Sequence, residues 1–299
     1  MESSEISLPV NHFGLRLLSN VLEQEETGSI LIAPPALFLS LALLKSAASG
    51  ATRSGLTRFL GTDESLSEEE RERRVRRLRE TITTSPSLTL ENVLCANSHR
   101  PLSPSFLRRA SSVYGVQVEQ DESSLPLRLQ SSFQVQLSAT RAISTVRESR
   151  LLGVRFGTNS PQHGLYVFSP DRVPFWQGRR KSLQSLLSLF TATTWPVLQL
   201  ALQAQEPEGA WAFPEIGMTG SVSLKELDLG PASTAAADFS RLMVSGNAPH
   251  LSTLRHQAQL SFSHDREIPV TAPPLPDQPL LWLLCEETSG VILLLGLKP

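Results

Sequence analysis

The chain has 299 residues, 40% hydrophobic and 19% charged, with a formal net charge of −2; that is the balance of a soluble globular protein with one large domain or two ordinary ones. Near-neutral charge argues against a dedicated nucleic-acid binder, whose affinity rests on a basic surface. The richest apolar stretch, Ser29 to Leu44, is broken by Pro34-Pro35 and is too short on either side to span a bilayer.

The first residues, MESSEISLPV, are acidic and lack both the basic and the apolar part of a secretory signal, so a cytoplasmic location is expected. HFGLRLLSNVLEQEETG then places Phe13, Leu17, Leu18, Val21 and Leu22 at helical spacing, with Gly28 as a stop. SILIA is a short apolar run ended by two prolines and predicts a strand. From Ala36 to Ala48 nearly every residue is apolar, which predicts a helix buried on all sides. A shorter helix, GATRSGLTRFLG, follows. SLSEEERERRVRRLRETI opens on a capping-box pattern from Ser65 to Glu68 and carries Val75, Leu78 and Ile82 as its inner stripe.

LTLENVLCA predicts a strand. SPSFLRRASSVYG predicts a helix with Ser103 as N-cap, Pro104 at the first helical position and Gly115 past its end. Residues 121–150 are polar, Ser-rich and weakly patterned. RLLGVRF and GLYVFSP predict two strands. KSLQSLLSLF predicts an amphipathic helix through Leu183, Leu186, Leu187 and Phe190. WPVLQLALQ alternates through Leu198, Leu200 and Leu202 and predicts a half-buried strand. SVSLKELDLG predicts a short helix. HQAQLSFS alternates through Ala258, Leu260 and Phe262, and LLWLLCEETSGVILLLGLKP predicts two buried strands around a turn at Gly290. With no internal repeat and no dividing linker, residues 1–299 are expected to form a single α+β domain of mixed sheets and N-terminal helices.

Catalytic and metal signatures are missing: no phosphate loop, no nucleophile elbow, no His-Glu-x-x-His and no cysteine pair at metal spacing. No enzyme, cofactor or metal is therefore expected. Cys95 and Cys285 lie in apolar runs and are expected as buried thiols, with a single disulfide as the alternative. His250, His256 and His264 share one segment and the last two share strand parity, but a metal site there would need a third ligand and an open coordination position. Trp195, Trp211 and Phe213 are expected as core anchors. Arg73, Arg76 and Arg77 belong to a helix with six arginines, where a polyanion such as heparin has a conceivable seat. Glu68, Glu69, Glu70, Glu72 and Glu80 nearly cancel that charge, and pairs such as Glu69 with Arg73 and Glu70 with Arg74 favour a salt-bridged surface helix.

The order of these pieces resembles a serpin. GSILIAPPALFLSLALLKSAASGATRSGLTRFLG is similar to that family's early strand, buried helix and second helix. LTLENVLCANSHRPLSPSFLRRASSVYGVQVE is similar to the strand, helix and Tyr-Gly strand that follow. SLKELDLGPASTAAADFSRL, LRHQAQLSF and the closing hairpin resemble later family segments. The resemblance implies a large sheet and an exposed bait loop that a serine protease cuts. In the family's inhibitors, the cut loop inserts into the sheet as a new strand and traps the protease. It also implies partners: a target protease or another protein, often outside the cell.

This chain departs from the pattern in both working parts. Residues 264–279 take the place of the reactive loop, with Glu267, Ile268, Pro269, Val270, Thr271 and Ala272 where the hinge and bait belong. Pro269, Pro273, Pro274, Pro276 and Pro279 lack the N–H that a central strand donates. The family's Asn-Ala-x-Tyr-Phe-Lys-Gly-x-Trp motif is missing, so the helix covering the large sheet and the strand beside it are expected to be deleted around residues 121–150. Ala33 and Ala36 match two serines of the polar cluster that lets the family's sheet open. His256 matches the cluster's histidine and is expected as a packed residue that has lost its hydrogen-bond partners. The expected function is a non-inhibitory binding or structural protein, and the alternative is a serine-protease inhibitor using residues 264–279 as bait.

Overall fold

The computed structural model describes residues 4–24, 29–122, 126–148, 151–170, 184, 186–188, 190–191, 194–204, 216–224, 227–244, 249–264 and 280–298. The N-terminal third is helical. Helix α1 (Ser4–Gln24) buries Val10, Phe13, Leu17, Leu18 and Val21 along one stripe. After strand β1 (Ile30–Ile32), helix α2 (Pro34–Ala47) is buried at every position except Ser46, as its mostly apolar sequence predicts. Helix α3 (Gly50–Leu60) ends on Gly61, whose φ of +64° only glycine adopts cheaply. Helix α4 (Glu68–Thr83) buries Val75, Leu78 and Ile82. Its cap is Ser67, two residues beyond the predicted Ser65: the Glu70 N–H donates to Ser67 Oγ at 3.1 Å. Both serines have a glutamate three positions on, so the pattern was degenerate.

Strand β2 (Leu88–Asn97) leads to helix α5 (Pro104–Arg109), which a single π-type turn, Ala110–Tyr114, continues to Gly115 at φ +66°. Ser103 holds the N-cap position but makes no capping hydrogen bond. Strand β3 (Val116–Asp121) runs parallel to β2. The next element corrects the expectation of a deleted strand. Residues Leu127–Glu148 form one strand, β4, antiparallel to β2 on one side. The alternation was present in the sequence: Leu127, Leu129, Phe133, Val135 and Leu137 are all buried, and buried Ser131 keeps the same parity. That serine broke the apolar count and hid the period.

Strands β5 (Leu151–Thr158) and β6 (His163–Pro170) follow as predicted. One later prediction fails and another is revised. WPVLQLALQ lies in a helix, α6 (Thr194–Gln203), with Trp195, Gln199 and Leu202 buried and Val197 and Leu200 exposed. Apolar residues on both faces of this helix mimic a period of two. The start of SVSLKELDLG lies in a strand, β7 (Ile216–Ser223); Leu224 is in a 3₁₀ turn, residues 225–226 lie outside the described residues, and a further 3₁₀ turn covers Gly230–Ser233. Leu186, Leu187 and Phe190 are buried as expected, whereas Gly28, Leu183, Trp211 and Phe213 lie outside the described residues. Strands β8 (Leu251–His264), β9 (Leu280–Glu286) and β10 (Ile292–Lys298) complete the chain, with Gly290 at φ +71° in the last turn.

The strands run in the order β1-β10-β9-β6-β5-β4-β2-β3, with β8 on β4 and β7 on β8. Strand β4 joins two halves. Its first part, to Ala139, pairs with β2 and β8; its remainder pairs with β5 through two register shifts. Such bulges bend and twist a strand, which lets one strand serve two sheets. Strand β7 packs across β1 so tightly that a Cβ on Gly220 would sit 2.0 Å from the Leu31 carbonyl oxygen. Strand β3 ends at Asp121 and β4 begins at Leu127.

Candidate functional site

A buried polar row crosses the large half of the sheet. Asn92 on β2 is in register with Ser131 on β4, and Ser131 with His256 on β8. All three are buried, under the start of α2. The Ala33 N–H donates to His256 Nε2 at 3.0 Å, and the other ring nitrogen lies 3.1 Å from Ser131 Oγ. An acceptor Nε2 means a neutral ring with its proton on Nδ1, donated to the serine. Complete burial pushes the imidazole down to about 4, which keeps it neutral at ordinary pH. Asn92 Nδ2 donates to the Ala36 carbonyl at 3.2 Å.

His256 therefore has two partners, contrary to the expectation that it had lost them. Ala33 and Ala36 contribute through the backbone, one as donor and one as acceptor. Two alanines suffice here for a physical reason. Helix N-termini leave amides to be capped, but Pro34 and Pro35 have none, and Ala33, the cap residue, makes no side-chain cap bond. Asn92 and Ser131 escaped the sequence reading. Each sits in a strand among apolar neighbours, and only the cross-strand register brings them to the histidine.

Strands β4 and β8 form the long seam beside this row. The two strands run parallel in thirteen register pairs, from Leu127 with Leu251 to Ala139 with His264. Beyond the Ser131–His256 pair, the inward side chains are apolar: Phe133, Val135 and Leu137 on β4, Ala258, Leu260 and Phe262 on β8. The opposite face carries Ser132, Gln134, Gln257 and Gln259, which with Thr219 and Ser221 of β7 line a shallow depression of about 350 Å³. A face built for a covering helix would be apolar. This one suits water.

The bait positions Glu267, Ile268, Pro269, Val270, Thr271 and Ala272 lie outside the described residues, between the end of β8 at His264 and the start of β9 at Leu280. Arg73, Arg76 and Arg77 are on α4. Arg73 pairs with Glu70, not with Glu69 as its spacing suggested, and Arg76 pairs with Glu72 at 3.2 Å. Arg74 bridges Glu70 and Glu5, and Arg109 reaches over from α5 to Glu68. The helix is laced to its own acids and to its neighbours. Cys95 and Cys285 are both buried and free, so the disulfide alternative is excluded.

A second polar knot lies where β5 and β6 meet the last hairpin. Arg155 makes a bidentate pair with Glu287, at 2.8 and 2.7 Å, and the Tyr166 hydroxyl donates to the same carboxylate at 3.0 Å. Burial raises the Tyr166 phenol far above its usual range, so it stays a donor. Gly164 is required beside it, because a Cβ there would fall 2.2 Å from Glu287 Oε1. The knot fixes the hairpin and leaves no group free for chemistry.

The description "serine protease inhibitor", the serpin family, is matched over residues 9–124. No curated protein matches the chain by sequence at significant similarity. Solved structures of the same fold include the mouse protein-Z-dependent protease inhibitor, at 12% identity and a TM-score of 0.81 over 99% of this chain and 97% of that one. Human thyroxine-binding globulin in complex with its hormone is similar at 14% identity and a TM-score of 0.82, over 99% and 98% of the two chains. Uncleaved ovalbumin is similar at 14% identity and a TM-score of 0.80, over 98% of each.

Proposed function

From the premise that this chain is a divergent member of the serpin family, we propose that it is non-inhibitory and acts as a binding or structural protein without loop insertion. The observation that carries the reading is the composition of the segment between β8 and β9. Five of its fifteen residues, 265–279, are prolines. An interior strand between β4 and β8 must donate amides to both neighbours, and each proline removes one donor. Thirteen register pairs would have to be broken to admit it. The new strand would return few of those hydrogen bonds, and each buried group left unmade costs about 1–3 kcal/mol.

One further feature supports the reading: the polar outer face of the large sheet, with Ser132, Gln134, Gln257 and Gln259, is at home in water. Residues 267–272 then serve as a connection and not as a spring, and a protein partner takes the place of a protease target.

The test is incubation with trypsin-like and subtilisin-like proteases, followed by denaturing gels and a thermal melt of the nicked product. The expected result is cleavage or degradation without a covalent complex and without a gain in melting temperature. An SDS-resistant complex, or a nicked form that melts far above the intact one, would reject the proposal.

A further inference from the structure

The large half of the sheet ends on two strands, β3 on one side and β7 on the other. An end strand leaves a row of main-chain N–H and C=O groups unpaired, and proteins guard such rows with charge, proline or a bulge. Strand β3 is guarded by Glu119 and Asp121. Strand β7 has none of these devices. Its eight residues, IGMTGSVS, hold no charge and no proline, and its register with β8 runs through all eight pairs without a shift.

In an antiparallel pair only alternate residues exchange hydrogen bonds, so about half of β7 turns both main-chain groups away from β8. Among the described residues β8 is the one strand that pairs with β7, and no other element hydrogen-bonds to residues 217–222. Gly217, Thr219 and Ser221 are exposed on the outer face, and a Cβ on Gly217 would meet nothing within 4 Å. Glycine in a strand lets a second backbone come close.

We propose that this edge joins two copies of the chain, β7 against β7, into one continuous sheet. Antiparallel pairing of identical strands is two-fold symmetric, so each copy supplies the surface the other needs. Centred on Thr219, the pairing sets the two threonines opposite each other, Met218 opposite Gly220 and Gly217 opposite Ser221. Met218 thus faces a glycine and not another bulky side chain, and Thr–Thr is a favourable cross-strand pair. Charge points to a second copy as the occupant. With no charge on the edge and a net charge of −2 on the chain, two copies meet with little repulsion. The acidic β3 edge, paired with itself, would set like charges together. The inference does not depend on the reading given for residues 265–279.

Analytical ultracentrifugation of the full-length protein over a range of concentrations tests the proposal. A reversible dimer is expected, with a Kd on the order of 100 μM or tighter for a small edge-to-edge interface. Amide exchange read by mass spectrometry, which needs no variant, should show residues 216–223 gaining protection as the dimer fills. Thr219→Lys sets two like charges face to face and is expected to weaken the dimer at least about tenfold. Thr219 is exposed, so the thermal melt of the variant should match the wild type. Thr89→Lys is the control: Thr89 is exposed in the same cross-strand row, through Gln134 and Gln259, but on β2, and its dimer should stay intact. A chain that remains monomeric up to about 1 mM, whether or not its edge takes up an extended peptide from another protein, overturns the proposal. So does a dimer that Thr219→Lys leaves unchanged, or one whose gain in protection falls outside residues 216–223.

Discussion

Acid should weaken this protein through His256 in a way that one substitution isolates. The imidazole is neutral in the folded chain, down to a pKa of about 4, because it is wholly buried and its Nε2 must accept the Ala33 N–H. In the unfolded chain it titrates near its ordinary value of about 6.5. The folded value is the lower one, so below pH 6.5 the unfolded state binds the proton first and stability falls as pH falls. The loss grows through the window between the two values and levels off below the folded one. A difference of about 2.5 units at 1.36 kcal/mol each gives roughly 3 kcal/mol at most. His256→Gln keeps an acceptor for Ala33 and a donor for Ser131 but cannot titrate. Urea unfolding midpoints for both proteins at several pH values between 7 and 4 provide the assay. His163, whose pKa is also lowered by burial, and the carboxylates titrate in both proteins and cancel in the difference. The wild type is expected to lose about 3 kcal/mol more than the variant over that range. Parallel curves would refute the reasoning, since they would mean that His256 is protonated at no extra cost and does not accept from Ala33.

Three shorter predictions concern packing and charge. Gly220→Ala should cost roughly 3 kcal/mol, because its methyl would fall 2.0 Å from the Leu31 carbonyl. Gly217→Ala, with nothing within 4 Å, should cost little; equal thermal shifts for the two would dismiss the close β7–β1 approach. Arg155→Met leaves the Glu287 carboxylate with only Tyr166 of its two strong partners, and its cost, discounted for partial exposure, is about 2–3 kcal/mol in a denaturant titration. On a heparin column the wild type should elute without retention at physiological salt, since α4's arginines are paired. Retention that disappears in the Arg73→Glu, Arg77→Glu double variant would restore the polyanion reading.

The outcome for β4 shows where sequence reasoning reaches its limit. Five apolar residues of one parity were visible between Leu127 and Leu137, yet a buried serine in their midst made the segment look polar. Ser131 is buried because it has a partner, and that partner is 125 positions away. The same holds for α6, where both faces are apolar and two periods fit equally well. Only packing shows that Trp195 and Leu202 face inward while Val197 and Leu200 do not.

Local chemistry was enough for the rest. Proline and glycine placed the ends of α3, α5 and the last hairpin, a mostly apolar run made α2 a buried helix, and the prolines of 265–279 limit what that segment can donate, whatever surrounds it. These are properties of single residues and their immediate neighbours, so the chain carries them before it folds. The register of β4 against β8 and the partners of His256 belong to the tertiary structure. Each depends on which distant strands or helices meet, and no residue's own chemistry encodes the neighbour it will find across a sheet.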